Sequence, residues 1–167
     1  MDAIAMPWSA ARRSFEIESD AIAAALKVIP ENTFMQAVSA LAQTERIAAS
    51  GCGHSGIACM HFAHLMCCIE RPARFLSPAE ATHGGTGFLK AGDVILLASR
   101  GGKTRELIPI MEIARKKGAK IIAVTENQAS PLPWARISYC PSPSPGKPTA
   151  STVRVPKETM SYGEAAQ

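Results

Sequence analysis

The 167-residue chain has the length and composition of one globular domain with its own core, since 47% of its residues are hydrophobic and 19% are charged. Its formal net charge of +4 is modest, and the cations are dispersed along the chain, which disfavours nucleic-acid binding and favours an anionic metabolite as partner. No apolar run is long enough to span a membrane and the N-terminus lacks a signal-peptide core, so neither a membrane partner nor secretion is expected.

The first 44 residues predict two helices. Apolar residues recur at helical spacing over residues 9–27 until Pro30 closes the segment, and a second helix is predicted over residues 32–43. The expected buried side of this second helix consists of its larger apolar residues, Phe34, Met35, Val38 and Leu41. We expect both helices to cover a sheet or a partner subunit, and we assign no chemistry to them.

Residues 45–140 alternate predicted strands and helices. The strands are predicted over residues 46–50, 74–76, 93–99, 119–125 and 137–140. The helices are predicted over residues 57–69, 104–117 and a short piece near 131–135. Near-continuous apolar strands such as residues 94–98 (VILLA) are typical of a parallel sheet covered on both faces. Right-handed crossovers favour the order 2-1-3-4-5. The predicted fold is therefore α/β, a three-layer αβα sandwich with a doubly wound, five-stranded parallel sheet.

We predict that residues 1–167 form a single domain. It comprises N-terminal helices over residues 1–44, an α/β core over 45–140, and a Pro/Ser-rich connector and short tail over 141–167. The segment 141–148 (PSPSPGKP) predicts an extended connector. In the tail, Pro156 would end a helix after one turn.

Two glycine-containing loops each follow a predicted strand and precede a predicted helix. They are residues 51–56 (GCGHSG) and residues 99–104 (SRGGKT). Glycines allow a tight turn and a close approach to a ligand, while a helix N-terminus offers unpaired N–H groups and partial positive charge. In the predicted strand order both loops lie at the switch point between the first and third strands. Together they predict one phosphate-binding site.

Several motifs in this order resemble a known family. They are residues 51–56, residues 78–84 (PAEATHG), residues 92–95 (GDVI), residues 99–106 and residues 123–127 (AVTEN). Over residues 12–153 the chain resembles the sugar isomerase (SIS) domain, and within it the arabinose-5-phosphate isomerase type. The resemblance implies a flavodoxin-like, phosphosugar-binding domain that forms a homodimer or homotetramer. It also implies a cytoplasmic aldose-ketose isomerase of carbohydrate metabolism.

The resemblance implies that serine and threonine hydroxyls and backbone amides hold the phosphate. By position, the candidate phosphate- and substrate-binding residues are Gly53, His54, Ser55, Ser99, Gly101, Gly102, Lys103 and Thr104. The first loop of the family usually has the pattern G-x-G-K-S-G and the second S-x-S-G-E-[ST]. In this chain His54 stands at the lysine position, Gly101 at a serine position and Lys103 at the glutamate position.

Glu80 and His83 are the candidate catalytic residues, because the resemblance places this Glu-x-x-His-Gly segment at the sugar. Isomerisation needs a base that moves a proton between adjacent carbons and an acid or dipole that stabilises the enediolate oxygen. Either residue takes the base role and the other polarises or protonates oxygen. In the alternative structural interpretation, Glu80 caps a short helix and His83 makes a loop hydrogen bond. The alternative function, favoured by Lys103, is a non-catalytic phosphosugar-binding or sensor domain.

No metal or cofactor is expected. His61, His64 and Cys68 share a helical face and could in principle ligate zinc, but such a stripe among apolar residues more often forms buried helix surface. The five cysteines are odd in number and show no C-x-x-C spacing, which favours free thiols in a reducing compartment.

Overall fold

The computed structural model describes residues 5–125 of the chain. The described strands are β1 (Ile47–Gly51), β2 (Ala73–Phe75), β3 (Val94–Ala98) and β4 (Lys120–Val124). The described α-helices are α1 (Ala5–Val28), α2 (Glu31–Gln43), α3 (His54–Cys68), α4 (Pro78–Ala81) and α5 (Leu107–Lys116). A 3-10 turn (Gly85–Phe88) follows α4. The predicted fifth strand, the short helix near residues 131–135, and the connector and tail lie outside the described residues.

The four strands form one parallel sheet in the order β2-β1-β3-β4. This confirms the predicted α/β class and the part of the predicted strand order that the described residues cover. The register pairs Gly51 of β1 with Ala98 of β3. Because these residues end their strands, the loops that follow them emerge side by side from one edge of the sheet.

Helices cover both faces of the sheet, as near-continuous apolar strands require. On one face, Ile95 and Ile121 belong to a core cluster with residues of α5 such as Ile110. On the opposite face, Val94 and Ile122 pack against α2. Within residues 5–125, no helix has the length and apolar content needed to cross a membrane.

The prediction for the buried side of α2 is wrong for three of its four residues, since only Leu41 packs, partly buried, against the core. Phe34, Met35 and Val38 are exposed, and the residues buried against the sheet are Ala37 and Ala40. Small side chains let a helix backbone approach a sheet closely, so the alanine side of α2 faces the strands. The larger apolar residues are left on the outer face of the single chain.

The expectation that the His61, His64 and Cys68 stripe is buried is also wrong. All three residues are exposed on the outer side of α3, where the His64 Nε2 atom lies 3.6 Å from the Cys68 Sγ atom. Among the described residues, no group of three or more His, Cys, Asp or Glu side chains is arranged to hold a metal ion. The buried side of α3 contains Cys59 and Ala63 instead.

Candidate functional site

The first glycine loop turns directly from β1 into α3. Gly53 has a φ of +55°, a left-handed conformation that glycine adopts without steric cost, and α3 then begins at His54, three residues earlier than predicted. Its first helical hydrogen bond runs from the Gly56 N–H to the Cys52 carbonyl, at 3.3 Å. The amides of His54 and Ser55 precede this bond, so the first turn presents N–H groups to an anion.

The second loop folds back on itself after β3. Ser99 is buried, and its N–H donates to the Val124 carbonyl at 3.0 Å. The Gly102 N–H donates to the Ser99 carbonyl at 3.1 Å, which closes the turn. The turn brings the Ser99 and Thr104 hydroxyls to 2.7 Å from each other. Two hydroxyls of the predicted phosphate site therefore lie together.

The two loops meet at a cavity of about 190 Å³ between α3 and the strands β3 and β4. Ser55 lines it from the first loop, and Ser99 and Arg100 line it from the second. Its remaining described lining consists of apolar side chains and a thiol, Ala58, Cys59, Phe62, Leu96, Ala98 and Val124. The lining thus combines two serines and an arginine with mainly apolar residues, and it includes the carboxyl ends of β3 and β4, where the topology predicts a ligand.

The other predicted binding residues lie beside the cavity. His54 and Lys103 are exposed and do not line it. Gly53 and Gly101 are exposed within their loops, while Gly102 is buried in the turn. Of the predicted residues, Ser55 and Ser99 line the cavity, and Thr104 is linked to it through the contact between its hydroxyl and that of Ser99.

The candidate catalytic residues lie in the segment that follows β2. Glu80 belongs to α4, His83 follows that helix, and both are exposed. The His83 N–H donates to the Glu80 carbonyl at 3.1 Å. Neither side chain lines the cavity, and neither makes a hydrogen bond with another described residue. Ala81, which lies between them in the sequence, packs in the core cluster on the α5 face of the sheet, whereas the cavity is lined by α3 residues and Leu96 on the other face. Their role in catalysis therefore stays a prediction.

The two cysteines of this region remain protonated thiols at neutral pH. Burial raises the pKa of the Cys59 thiol to about 11, partly opposed by a hydrogen bond from the Ala98 backbone. Burial and the nearby Glu106 carboxylate raise the pKa of Cys52. Because the thiolate is the nucleophilic form of cysteine, neither residue is suited to covalent chemistry at the site.

Sequence reasoning missed Arg100 as a residue of the site. It stands at the variable position of the second-loop pattern, so the motif gave no reason to select it. The Thr125 hydroxyl donates to the Arg100 carbonyl at 3.1 Å, a contact between the second loop and the end of β4. Arg100 and Thr125 are far apart in the sequence, so the sequence of the loop alone does not indicate that they form this hydrogen bond.

Comparison with known proteins agrees with this architecture. The model of the SIS domain matches residues 40–162. The chain belongs to the SIS domain family. Arabinose 5-phosphate isomerase KdsD of Pseudomonas aeruginosa is 31% identical over 122 residues, which are 73% of this chain and 37% of that protein. Arabinose 5-phosphate isomerase GutQ of Escherichia coli K12 is 31% identical over 140 residues, which are 79% of this chain and 42% of that protein. The chain therefore spans less than half the length of these two relatives.

Solved SIS-type structures share the fold. A structure from Listeria monocytogenes, described as that of a candidate sugar-phosphate isomerase, has a TM-score of 0.75 and 37% identity, covering 79% of this chain and 69% of that one. Escherichia coli CFT073 c3406 in complex with A5P has a TM-score of 0.73 and 22% identity, covering 99% of this chain and 89% of that one. The Vibrio vulnificus NanR protein complexed with ManNAc-6P has a TM-score of 0.74 and 22% identity, covering 90% of this chain and 60% of that one.

Proposed function

We propose that this chain binds a sugar phosphate and interconverts its aldose and ketose forms, as an arabinose-5-phosphate isomerase-like enzyme. The observation that carries the proposal is the convergence of Ser55 and Ser99, from two separate glycine loops, on one cavity at the edge of the sheet. The relatives named arabinose 5-phosphate isomerase support the same chemistry. We place the activity in the cytoplasm, since Cys52, Cys59 and two further described cysteines are free thiols.

In the proposed reaction, the phosphate anchors the sugar while a base acts on its open-chain form. The base removes the proton from the carbon next to the carbonyl, the released electron pair forms the enediolate, and the proton returns to the former carbonyl carbon. The neighbouring hydroxyl gives its proton to the former carbonyl oxygen. Glu80 or His83 serves as the base, and the other stabilises the enediolate oxygen. Both side chains are exposed, so they are free of burial within the chain that would keep a sugar away.

A non-catalytic phosphosugar sensor is the alternative function. One feature of this chain favours it: Lys103 stands where the family's second loop carries a glutamate, and no carboxylate lines the described part of the cavity. One structural neighbour also carries the name of a transcription factor, RpiR of Sphaerobacter thermophilus, with 16% identity. A sensor would bind the sugar phosphate without exchanging its proton.

Binding is tested by titrating the chain with pentose, hexose and heptose phosphates in isothermal calorimetry. We expect one of them to bind the wild type, and we expect Ser99→Ala to weaken that binding by about tenfold, because a hydrogen bond to a charged group is lost. Ser39→Ala is the matched control, since Ser39 lies on α2 and bonds Gln43. Equal weakening by both variants, or none by Ser99→Ala, would contradict the assignment of Ser99 to the phosphate.

We also propose that the chain forms a homodimer or homotetramer through α1. Trp8, Phe15 and Ile22 recur at every seventh position of α1 and are 63%, 73% and 69% exposed, so they form one apolar stripe on a single side of the helix. Exposed apolar stripes of this kind mark protein interfaces. A second copy of the chain, carrying the same stripe, is the occupant that a symmetric interface provides.

The interface is tested by measuring the mass in solution. The wild type is expected at two or four times 17.7 kDa. Phe15→Glu is expected to halve that mass, from two chains to one or from four chains to two, because it buries a charge in an apolar contact. Arg13→Glu, which changes the charge on the opposite side of α1, is expected to keep the wild-type mass. A monomeric wild type would refute the interface.

A further inference from the structure

Arg100 is the second residue of the loop that follows β3. It follows Ser99 and lines the cavity together with Ser99 and Ser55. Its carbonyl accepts the hydrogen bond from the Thr125 hydroxyl at 3.1 Å, and Thr125 is buried at the end of β4. The backbone that carries the guanidinium is therefore tied to the sheet, beside the hydroxyls of the predicted phosphate site.

Positive charge is concentrated on the second loop. Residues 99–104 contain Arg100 and Lys103 and no carboxylate. The first loop carries His54 at the position where the family pattern has lysine, and His54 is exposed and does not line the cavity. Among the described residues that line the cavity, Arg100 is the one with a charged side chain.

We propose that Arg100 recognises the anionic group of the ligand, so that charge recognition lies on the second loop. This inference rests on the proposed sugar-phosphate function and names the residue that selects the ligand's charge. A guanidinium presents parallel N–H donors that match two oxygens of a phosphate. Cys59, Phe62 and Leu96 line the same cavity, and charges beside such an apolar surface attract each other more strongly than in open water.

The guanidinium of Arg100 should distinguish ligands by the charge of their anionic group. A phosphate monoester carries nearly two negative charges at neutral pH, whereas a sulfate ester of the same tetrahedral shape carries one. Hydroxyls and backbone amides donate to both esters, so they distinguish the two weakly. A guanidinium that contacts the ester favours the doubly charged form, so the site should prefer a sugar phosphate over the same sugar carrying a sulfate at the same carbon.

Calorimetric titration with one sugar in its phosphate and sulfate forms tests this inference. Arg100→Gln is expected to weaken phosphate binding by about 10- to 100-fold and to reduce the preference for phosphate over sulfate. Arg105→Gln removes the same charge from a nearby exposed position, and it is expected to leave both the affinity and the preference close to wild type. Arg100→Lys keeps the charge without the planar fork and is expected to fall between Arg100→Gln and wild type.

The outcomes separate this inference from the proposed function. If the wild type and Arg100→Gln bind the sugar phosphate equally well, the inference is overturned and the proposed function stands. Equal losses in Arg100→Gln and Arg105→Gln would also overturn it, because the effect would then come from net charge. If the wild type binds no sugar phosphate at all, both are overturned.

Discussion

Gly56→Ala is expected to destabilise the chain by at least about 1–3 kcal/mol and to abolish ligand binding. A methyl group at residue 56 would lie 2.6 Å from the Gly51 carbonyl oxygen and 3.2 Å from the carbonyl carbon. Both atoms belong to the backbone, so no side-chain rotation relieves the clash. Either β1 or the first turn of α3 must shift, and the two loops then no longer meet at one cavity.

The free energy of unfolding from chemical denaturation measures this effect. Gly87→Ala is the control, because a methyl group at residue 87 meets no heavy atom within 4 Å. The free energy of unfolding of this variant should stay within about 0.5 kcal/mol of wild type. If Gly56→Ala were as stable as Gly87→Ala, the close packing of β1 against α3 would be refuted.

Glu80→Gln is expected to lower the rate of proton exchange at the carbon next to the carbonyl by about 100- to 10,000-fold, because the amide can neither accept the carbon proton nor protonate the enediolate oxygen. Glu80 lies outside the cavity that contains Ser55 and Ser99, so the affinity for the sugar phosphate should change little. His83→Ala is expected to lower exchange as well. Exchange into deuterium oxide, followed by proton NMR, gives the rate, and calorimetry gives the affinity.

Glu112→Gln serves as the matched control for the catalytic prediction, since Glu112 is exposed on α5. The Glu112→Gln variant should catalyse exchange of the substrate proton at the wild-type rate. Wild-type exchange rates in both Glu80→Gln and His83→Ala would remove these residues from the mechanism, while an equal loss in Glu112→Gln would show that the effect is not specific to the site.

The sheet and the two glycine loops were predictable from local sequence. Apolar runs bounded by glycines located β1 and β3 to within about one residue, because buried parallel strands have few polar positions. The switch point then followed from the handedness of crossovers. Ser55 and Ser99 both line one cavity, and their binding of a phosphate stays a prediction.

The buried sides of the outer helices were not predictable in the same way. Helical periodicity identifies an apolar side but does not say whether the chain's own sheet or another chain covers it. In α2, Ala37 and Ala40 pack against the sheet, whereas the more hydrophobic Phe34 and Met35 are exposed in the single chain. Arg100 was missed for a related reason, because its place at the cavity depends on Thr125, which no local pattern links to it.

Deuterium exchange tests most directly whether this chain is a phosphosugar isomerase, as proposed. The wild type is incubated in deuterium oxide with separate pentose, hexose and heptose phosphates in their aldose and ketose forms, and proton NMR follows each substrate. We predict that at least one of them gains deuterium next to its carbonyl and forms its isomer, through the phosphate site at Ser55 and Ser99. Binding without exchange across the whole set would contradict the isomerase assignment and leave a sensor.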